Sequence, residues 1–225
     1  MKVIAVDGPA GSGKSTVSFN IGMALGLHIL DTGAMYRTVT LAALERGIDL
    51  ADADALADVA RTADMTFDAQ HVRLDGRPVS MEIRGPEVTA AVSQVSSHPE
   101  VRKVLVARQR AWVAEHGGGV VEGRDIGTVV FPDAALKIFL TASKEERARR
   151  RQRDEADAHR SVALEDAKGQ LSRRDEADSS LGRATRPEDA APDAFVMDTT
   201  GVPMEQVVEH LVERARAAME GTGCS

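Results

Sequence analysis

The sequence predicts an α/β fold in which a parallel sheet is flanked by helices, and three observations support this prediction. Short apolar runs rich in β-branched residues recur along the chain, segments of helical periodicity separate them, and a glycine-rich turn follows the first run. Strands buried on both faces of a parallel sheet have this continuous apolar pattern, and strands that alternate with helices pair through right-handed crossovers. A length of 225 residues with 43% hydrophobic content fits one domain with insertions.

Five apolar runs are the candidate strands of this sheet. The first spans residues 3–6 and ends at Asp7 and Gly8, after which a helix is predicted over residues 14–26. The other four strands are predicted at residues 28–30, 120–121, 136–140 and 195–197. The carboxyl end of the first strand therefore leads directly into the glycine-rich turn.

The first interruption of this alternation lies at residues 65–81. Their polarity alternates around Asp75-Gly76, which is a two-residue turn signal. Small antiparallel strands are therefore predicted at residues 65–67 and 72–74, and together they form a surface hairpin inserted into the α/β core.

The second interruption, residues 150–174, is highly charged and contains few large apolar side chains. A helical segment that buries so little surface is predicted to be a mobile flap. An alternative for the arginines of residues 147–153 is a solvated helix face paired with neighbouring acidic side chains, because charge runs are usually solvated.

Composition limits the function classes. A formal net charge of -7 argues against a nucleic-acid partner, since binding to the phosphate backbone depends on positive surface charge. No window approaches the ~20 consecutive apolar residues of a membrane helix. The single cysteine, Cys224, cannot form an intramolecular disulfide, which fits a reducing compartment. A cytoplasmic protein with no membrane association is predicted.

The glycine-rich turn carries a complete phosphate-binding motif. Residues 8–15 match G-x-x-x-x-G-K-[ST] between a predicted strand and a predicted helix, as the mechanism requires. Backbone N–H groups of such a loop cradle phosphates, while Lys14 reaches the β and γ oxygens and the Ser15 hydroxyl can ligate Mg²⁺. The predicted ATP-binding residues are Gly8, Pro9, Ala10, Gly11, Ser12, Gly13, Lys14, Ser15 and Thr16. A glycine-rich turn without a ligand is the alternative.

The rest of the sequence indicates to which class of triphosphate-binding protein the chain belongs. A regulatory GTPase would carry an Asn-Lys-x-Asp motif, but the only asparagine, Asn20, lies inside the predicted helix after the loop. A mechanical ATPase would bring a long apolar strand ending in Asp-Glu, and the sequence contains none. Arginines beside carboxylates remain, and these can hold a second anionic substrate in line with the triphosphate.

Three segments together identify a family. Residues 7–15, 30–37 (Leu-Asp-Thr-Gly-Ala-Met-Tyr-Arg) and 122–128 (Glu-Gly-Arg-Asp-Ile-Gly-Thr) resemble bacterial cytidylate kinase, and shorter matches extend over essentially the whole chain. The resemblance implies a P-loop kinase that transfers the γ-phosphoryl group of ATP to CMP or dCMP and uses Mg²⁺. A monomer is expected, and the oligomeric state stays open. The implied parts of the kinase are a core of residues 1–64, 98–149 and 175–225, a monophosphate-binding insertion of residues 65–97 and a lid of residues 150–174.

The same resemblance assigns site residues. Ser93, Arg102 and Asp125 would face the cytosine, Arg37, Arg124 and Arg183 would hold its phosphate, and Arg174 with Asp178 would lie near the sugar and the reaction centre. The implied substrate-binding set is Thr32, Tyr36, Arg37, Ser93, Arg102, Arg124, Asp125, Arg174, Asp178 and Arg183. The implied catalytic set is Lys14, Arg124, Arg150, Arg151 and Arg174.

Base selection follows from hydrogen-bonding edges. A carboxylate at Asp125 can accept a hydrogen bond from cytosine N4 while Arg102 donates to N3 or O2, and uracil reverses the donor and acceptor at both positions.

Several alternatives stay open: Arg186 as the rival of Arg183, the role of Glu122, and the preference for CMP over dCMP or UMP. Another small-molecule P-loop kinase, such as a UMP/CMP kinase, and a nucleotide-responsive binding protein with a vestigial site are the competing functions.

Overall fold

The computed structural model describes residues 2–68, 71–157 and 162–221, so Cys224 lies outside the described residues. The strands are β1 (Lys2–Asp7), β2 (Ile29–Asp31), β3 (Met65–Phe67), β4 (Val72–Leu74), β5 (Arg77–Pro78), β6 (Gly118–Gly123), β7 (Leu136–Thr141) and β8 (Phe195–Asp198). Five of them form a parallel sheet in the order β2-β6-β1-β7-β8. This sheet confirms the predicted fold class, and each predicted run supplies one of its strands.

Helices cover both faces of the sheet. They are α1 (Lys14–Leu25), α2 (Thr32–Glu45), α3 (Ala53–Thr62), α4 (Pro86–Val95), α5 (Pro99–Glu115), α6 (Lys144–Asp157), α7 (Leu164–Ser180) and α8 (Met204–Gly221). Apolar side chains of α1 and α8, such as Ile21 and Leu211, pack on one face, whereas those of α2 and α5, such as Met35 and Leu105, pack on the other. Within the described ranges, no helix has the length and apolar content needed to cross a membrane.

Parallel pairing brings the carboxyl ends of three strands to one edge of the sheet. Asp31 at the end of β2 is in register with Glu122 of β6, and Glu122 is also in register with Val6 of β1. Asp7 follows Val6 and opens the glycine-rich turn. Ligands of open α/β sheets bind outside these carboxyl ends, so this edge is where a site is expected.

The insertion differs from the predicted hairpin in its turn. Strands β3 and β4 pair antiparallel as predicted, with Met65 opposite Leu74, but Asp75-Gly76 joins β4 to a third strand, β5. Asp75-Gly76 is thus a turn, as predicted, but it joins a different pair of strands, because β5 is only two residues long and leaves almost no periodicity. Met65 and Leu74 are also buried against the core, so one face of this small sheet is internal.

The charged segment buries more than its composition predicted. Small side chains make this possible, since Ala148 of α6 and Ala167 and Leu171 of α7 pack against Ala10 of the glycine-rich turn. Helix α6 begins at Lys144 rather than at residue 150, and α7 continues past residue 174 to Ser180. The helix boundaries therefore do not coincide with the lid boundaries, and the mobility of this segment stays a prediction.

Gly8 is expected to tolerate no side chain. Its φ is 146°, and a Cβ there would lie 2.1 Å from the carbonyl oxygen of Leu140 in β7. Gly8→Ala should therefore destabilise the fold by about 3 kcal/mol or more, from clash and backbone strain together. Gly26→Ala is the matched control, because Gly26 has a φ of 64° but open space around it, and it should cost only about 1 kcal/mol. Equal losses in chemical denaturation would contradict the steric explanation.

Candidate active site

The phosphate loop occupies the turn between β1 and α1. Gly8, Gly11 and Gly13 adopt φ values of 146°, 75° and 97°, which turn the backbone in ways that favour glycine. The first turn of α1 follows at once, so the helix N-terminus faces the loop and attracts anions. Lys14 is buried at this point, and its Nζ donates to the Pro9 carbonyl oxygen at 2.8 Å. The loop therefore has the geometry of a phosphate cradle.

Beside the loop, Glu122 supplies a buried carboxylate. Its Oε2 accepts a hydrogen bond from the Ser15 hydroxyl at 3.1 Å, which gives Glu122 a defined contact that the sequence left open. Burial, and then the neighbouring Asp31, raise the pKa of Glu122 to about 7. Burial, and then Arg124, lower the pKa of Lys14 to about 7. A bound anion would stabilise the charged form of Lys14, and a bound cation would stabilise the charged form of Glu122.

A cleft at the same edge of the sheet encloses about 570 Å³, part of it open to solvent. It brings together residues from distant parts of the chain. The sequence-predicted residues that line it are Lys14, Thr32, Tyr36, Ser93, Arg102, Arg124, Asp125, Arg174, Asp178 and Arg183. Asp31, Ser96 and Glu122, which are not among the predicted site residues, also line it. Asp31 caps α2 by accepting a hydrogen bond from the Ala34 backbone N–H at 3.0 Å, and Ser96 lies one helical turn after Ser93, which is the signal that could have found it.

Arg174 provides positive charge in the cleft that no direct ion pair neutralises. In the described part of the chain, its guanidinium has no hydrogen-bond or ion-pair partner, although the residue is half-buried. Burial, followed by repulsion from Arg124 and Arg37, lowers the pKa of Arg174 to about 9, and the attraction of Asp178 only partly offsets them. A phosphate bound here would supply a direct ion-pair partner and hydrogen-bond acceptors.

Asp178 organises the neighbouring arginines. Its carboxylate accepts from Arg124 Nε at 3.1 Å and from Arg183 Nη1 at 2.8 Å. Burial by itself would raise the pKa of Asp178, but Arg124, Arg174 and Arg183 outweigh it and hold that pKa below its usual range. The carboxylate is thus ionised and fixes two guanidinium groups at the wall of the cleft.

Arg183 and its rival Arg186 occupy different environments. Arg183 is 7% exposed, donates to Ser96 Oγ at 3.1 Å and lines the cleft, while its buried Nε has no hydrogen-bond partner in the structure. Arg186 is on the surface, where it pairs with Asp189 and Glu188. The geometry therefore favours Arg183 as the cleft residue.

Also in the cleft wall, Arg102 and Asp125 form a close ion pair. Burial alone would lower the pKa of Arg102, but the adjacent Asp125 holds it above its usual value. Tyr36 and Ser93 line the cleft near this pair, and burial raises the pKa of the Tyr36 hydroxyl. A carboxylate and a guanidinium side by side present the acceptor and the donor that a cytosine edge requires.

Three predicted arginines do not line this cleft. The Arg37 side chain is buried beside it and donates to the Ile83 carbonyl oxygen at 2.9 Å; burial and then Arg84 lower its pKa to about 10. Arg150 lies over the phosphate loop, where it donates to the Ser12 carbonyl oxygen at 3.2 Å. Arg151 pairs with Glu155 of its own helix. These contacts are intramolecular partners that the sequence motifs could not reveal.

A phosphate loop on a parallel sheet, next to an arginine-lined cleft for a second anion, defines a P-loop kinase that phosphorylates a small acceptor. The family model described as cytidylate kinase matches residues 4–217. The chain belongs to the cytidylate kinase family, which confirms the resemblance and the predicted enzyme class.

Curated relatives agree with this assignment, and a solved structure shares the fold. A cytidylate kinase from Mycobacterium avium is 51% identical over 222 residues, which cover 97% of this chain and 96% of the relative. One from Caldanaerobacter subterraneus is 47% identical over 218 residues, covering 97% and 96% of the two chains. The structure of an uncharacterized protein from Eubacterium ventriosum has a TM-score of 0.52 at 10% identity and covers 96% of this chain and 99% of its own, which shows the shared fold.

Proposed function

We propose that the enzyme transfers the γ-phosphoryl group of ATP to CMP or dCMP, giving ADP and CDP or dCDP. The observation that carries the proposal is the shared cleft, in which the phosphate-loop lysine, an unpartnered arginine and the Arg102–Asp125 pair face one volume. Relatives about half identical over nearly the full chain carry the name cytidylate kinase. A cytoplasmic monomer is also part of the proposal, and the single cysteine of the sequence fits a reducing compartment.

Mg²⁺ fits the residues beside the phosphate loop. Ser15 Oγ and the Glu122 carboxylate are adjacent oxygen donors, the ligand type that this hard cation prefers. Within residues 2–68, 71–157 and 162–221, no cluster of three His, Cys, Asp or Glu side chains could hold a metal ion. Such a sparse protein contribution suits Mg²⁺, which is usually held by one or two protein groups together with substrate phosphates. When bound, the ion would cancel charge on the transferred group.

The proposed chemistry depends on position and charge. The acceptor is a phosphate oxygen that is already anionic, so no general base is required. Lys14, Arg124 and Arg174 would cancel the charge of the two phosphates and hold them in line. Arg150 already lies over the phosphate loop. Closure of the proposed lid, residues 150–174, would bring Arg151 toward the γ-phosphoryl and exclude water that would otherwise hydrolyse ATP.

A coupled ADP-release assay across AMP, CMP, dCMP, GMP and UMP tests this function. CMP and dCMP are expected to give the highest kcat/KM, at least about tenfold above UMP and AMP, because unpaired buried polar groups penalise the wrong base. UMP or AMP exceeding CMP tenfold would remove the cytosine assignment. Absence of turnover with every monophosphate would favour a nucleotide-binding protein with a vestigial site.

Arg183 and Arg186 offer a matched pair for the acceptor phosphate. Arg183→Gln is expected to raise the KM for CMP by about tenfold, whereas Arg186→Gln should leave it within about twofold. The physical reason is that the Arg183 guanidinium lies in the cleft and that of Arg186 on the surface. The KM for ATP should change little in both variants, and thermal unfolding checks that Arg183→Gln stays folded. The opposite ranking would assign the phosphate to Arg186.

A further inference from the structure

Asp7 has a bonding pattern that the sequence did not indicate. It is the last residue of β1, directly before Gly8, and is 7% exposed. Both of its carboxylate oxygens accept backbone N–H groups, Oδ1 from Ile126 at 2.9 Å and Oδ2 from Gly127 at 2.7 Å. Both oxygens of the carboxylate are therefore occupied in holding these two amides.

These two amides directly follow a residue that lines the cleft, Asp125. Ile126 and Gly127 begin a π-helical turn, Ile126–Val130. The far end of this turn is also anchored, because Arg110 of α5 donates to the Val129 and Val130 carbonyl oxygens at 3.0 Å each. Such turns are rare and occur frequently at functional sites. Asp7 does not line the cleft, yet it fixes the backbone that presents Asp125.

We propose that Asp7 is a positioning residue for the selection of the pyrimidine. It holds the backbone after Asp125 so that this carboxylate meets the amino group of the base, and it ties that segment to the start of the phosphate loop. The inference rests on the proposed function, because selection presumes that the acceptor is CMP. Loss of one buried amide contact would let the segment shift, and a shift of about 1 Å is enough to weaken a positioned interaction.

Asp7→Asn is the sharpest test. Asparagine keeps one acceptor oxygen but turns an NH₂ group toward the second backbone N–H, so one of the two hydrogen bonds is lost. The ratio of kcat/KM for CMP to that for UMP should fall by about tenfold, mainly through the KM for CMP, while the KM for ATP stays within about twofold. Asp52→Asn is the matched control, since Asp52 also accepts a backbone N–H, from Ala55 at 2.9 Å, but does so away from the cleft.

The outcomes separate the inference from the function. A folded Asp7→Asn enzyme with unchanged CMP-to-UMP selectivity would overturn the role of Asp7 and leave the kinase activity intact. An unmutated chain without CMP turnover would instead overturn the proposed function. If Asp7→Asn does not fold, amide hydrogen exchange on the unmutated chain decides: the Ile126 and Gly127 amides should exchange at least about a hundredfold slower than unprotected amides. Exchange at the unprotected rate would refute the inference.

Discussion

Replacing Lys14 by methionine is expected to lower kcat by about a thousandfold, the range found when a group that stabilises transition-state charge is removed. Methionine has a similar length and shape but carries no charge. Lys14 is buried at the start of α1 and lines the cleft that also contains Arg124 and Arg174. Burial and then Arg124 lower the pKa of Lys14 in the free site, and bound phosphates would favour its ammonium form. Its loss should therefore remove stabilisation that no other side chain replaces.

Rapid-quench measurement of the transfer step tests this expectation. Lys103→Met is the control, because Lys103 is exposed on α5 and does not line the cleft; its kcat should stay within about twofold of the unmutated enzyme. A Lys14→Met enzyme that keeps more than a tenth of the unmutated kcat while remaining folded would show that the lysine does not stabilise the transferred group.

Asp125→Asn is expected to reduce the preference for CMP over UMP by about a hundredfold. The Asp125 carboxylate can only accept hydrogen bonds, which suits the N4 amino group of cytosine, whereas an asparagine amide can present either a donor or an acceptor. The substitution also removes the negative charge with which Arg102 forms its ion pair. Both effects lower the penalty against uracil and weaken the binding of cytosine.

Competition between CMP and UMP in one reaction gives this ratio directly. Asp133→Asn is the control, since Asp133 is exposed beyond the π-helical turn and should leave the ratio unchanged. If Asp125→Asn kept the unmutated preference, base selection would have to reside elsewhere, and another small-molecule P-loop kinase activity would become the better hypothesis.

The local sequence pattern was sufficient to predict the parallel sheet and the phosphate loop. The strand of residues 3–6 and the loop after it are encoded within a short window, because apolar continuity, glycine positions and the lysine all lie in sequence. The small strand β5 and the packing of Ala148 against Ala10 were not predictable in this way. Both depend on contacts between distant segments, which periodicity does not report.

The candidate site shows the same division. Ten of the residues predicted from sequence motifs line one cleft. The motifs did not reveal that Arg150 donates to the Ser12 backbone or that Ser15 donates to Glu122. These partners are set by tertiary packing of α6 and by the register of β6. The choice between Arg183 and Arg186 also needed three dimensions, because both arginines follow α7 by a few residues and differ only in where the chain turns.

The most direct measurement is a crystal structure of the enzyme with CMP and a non-hydrolysable ATP analogue. We expect the analogue's phosphates on the glycine-rich loop, the CMP phosphate against Arg174 and Arg183, and the cytosine amino group within hydrogen-bonding distance of Asp125. A CMP molecule bound outside this cleft, or oriented with its base away from Asp125, would contradict the claim that one cavity aligns both phosphates and selects the base.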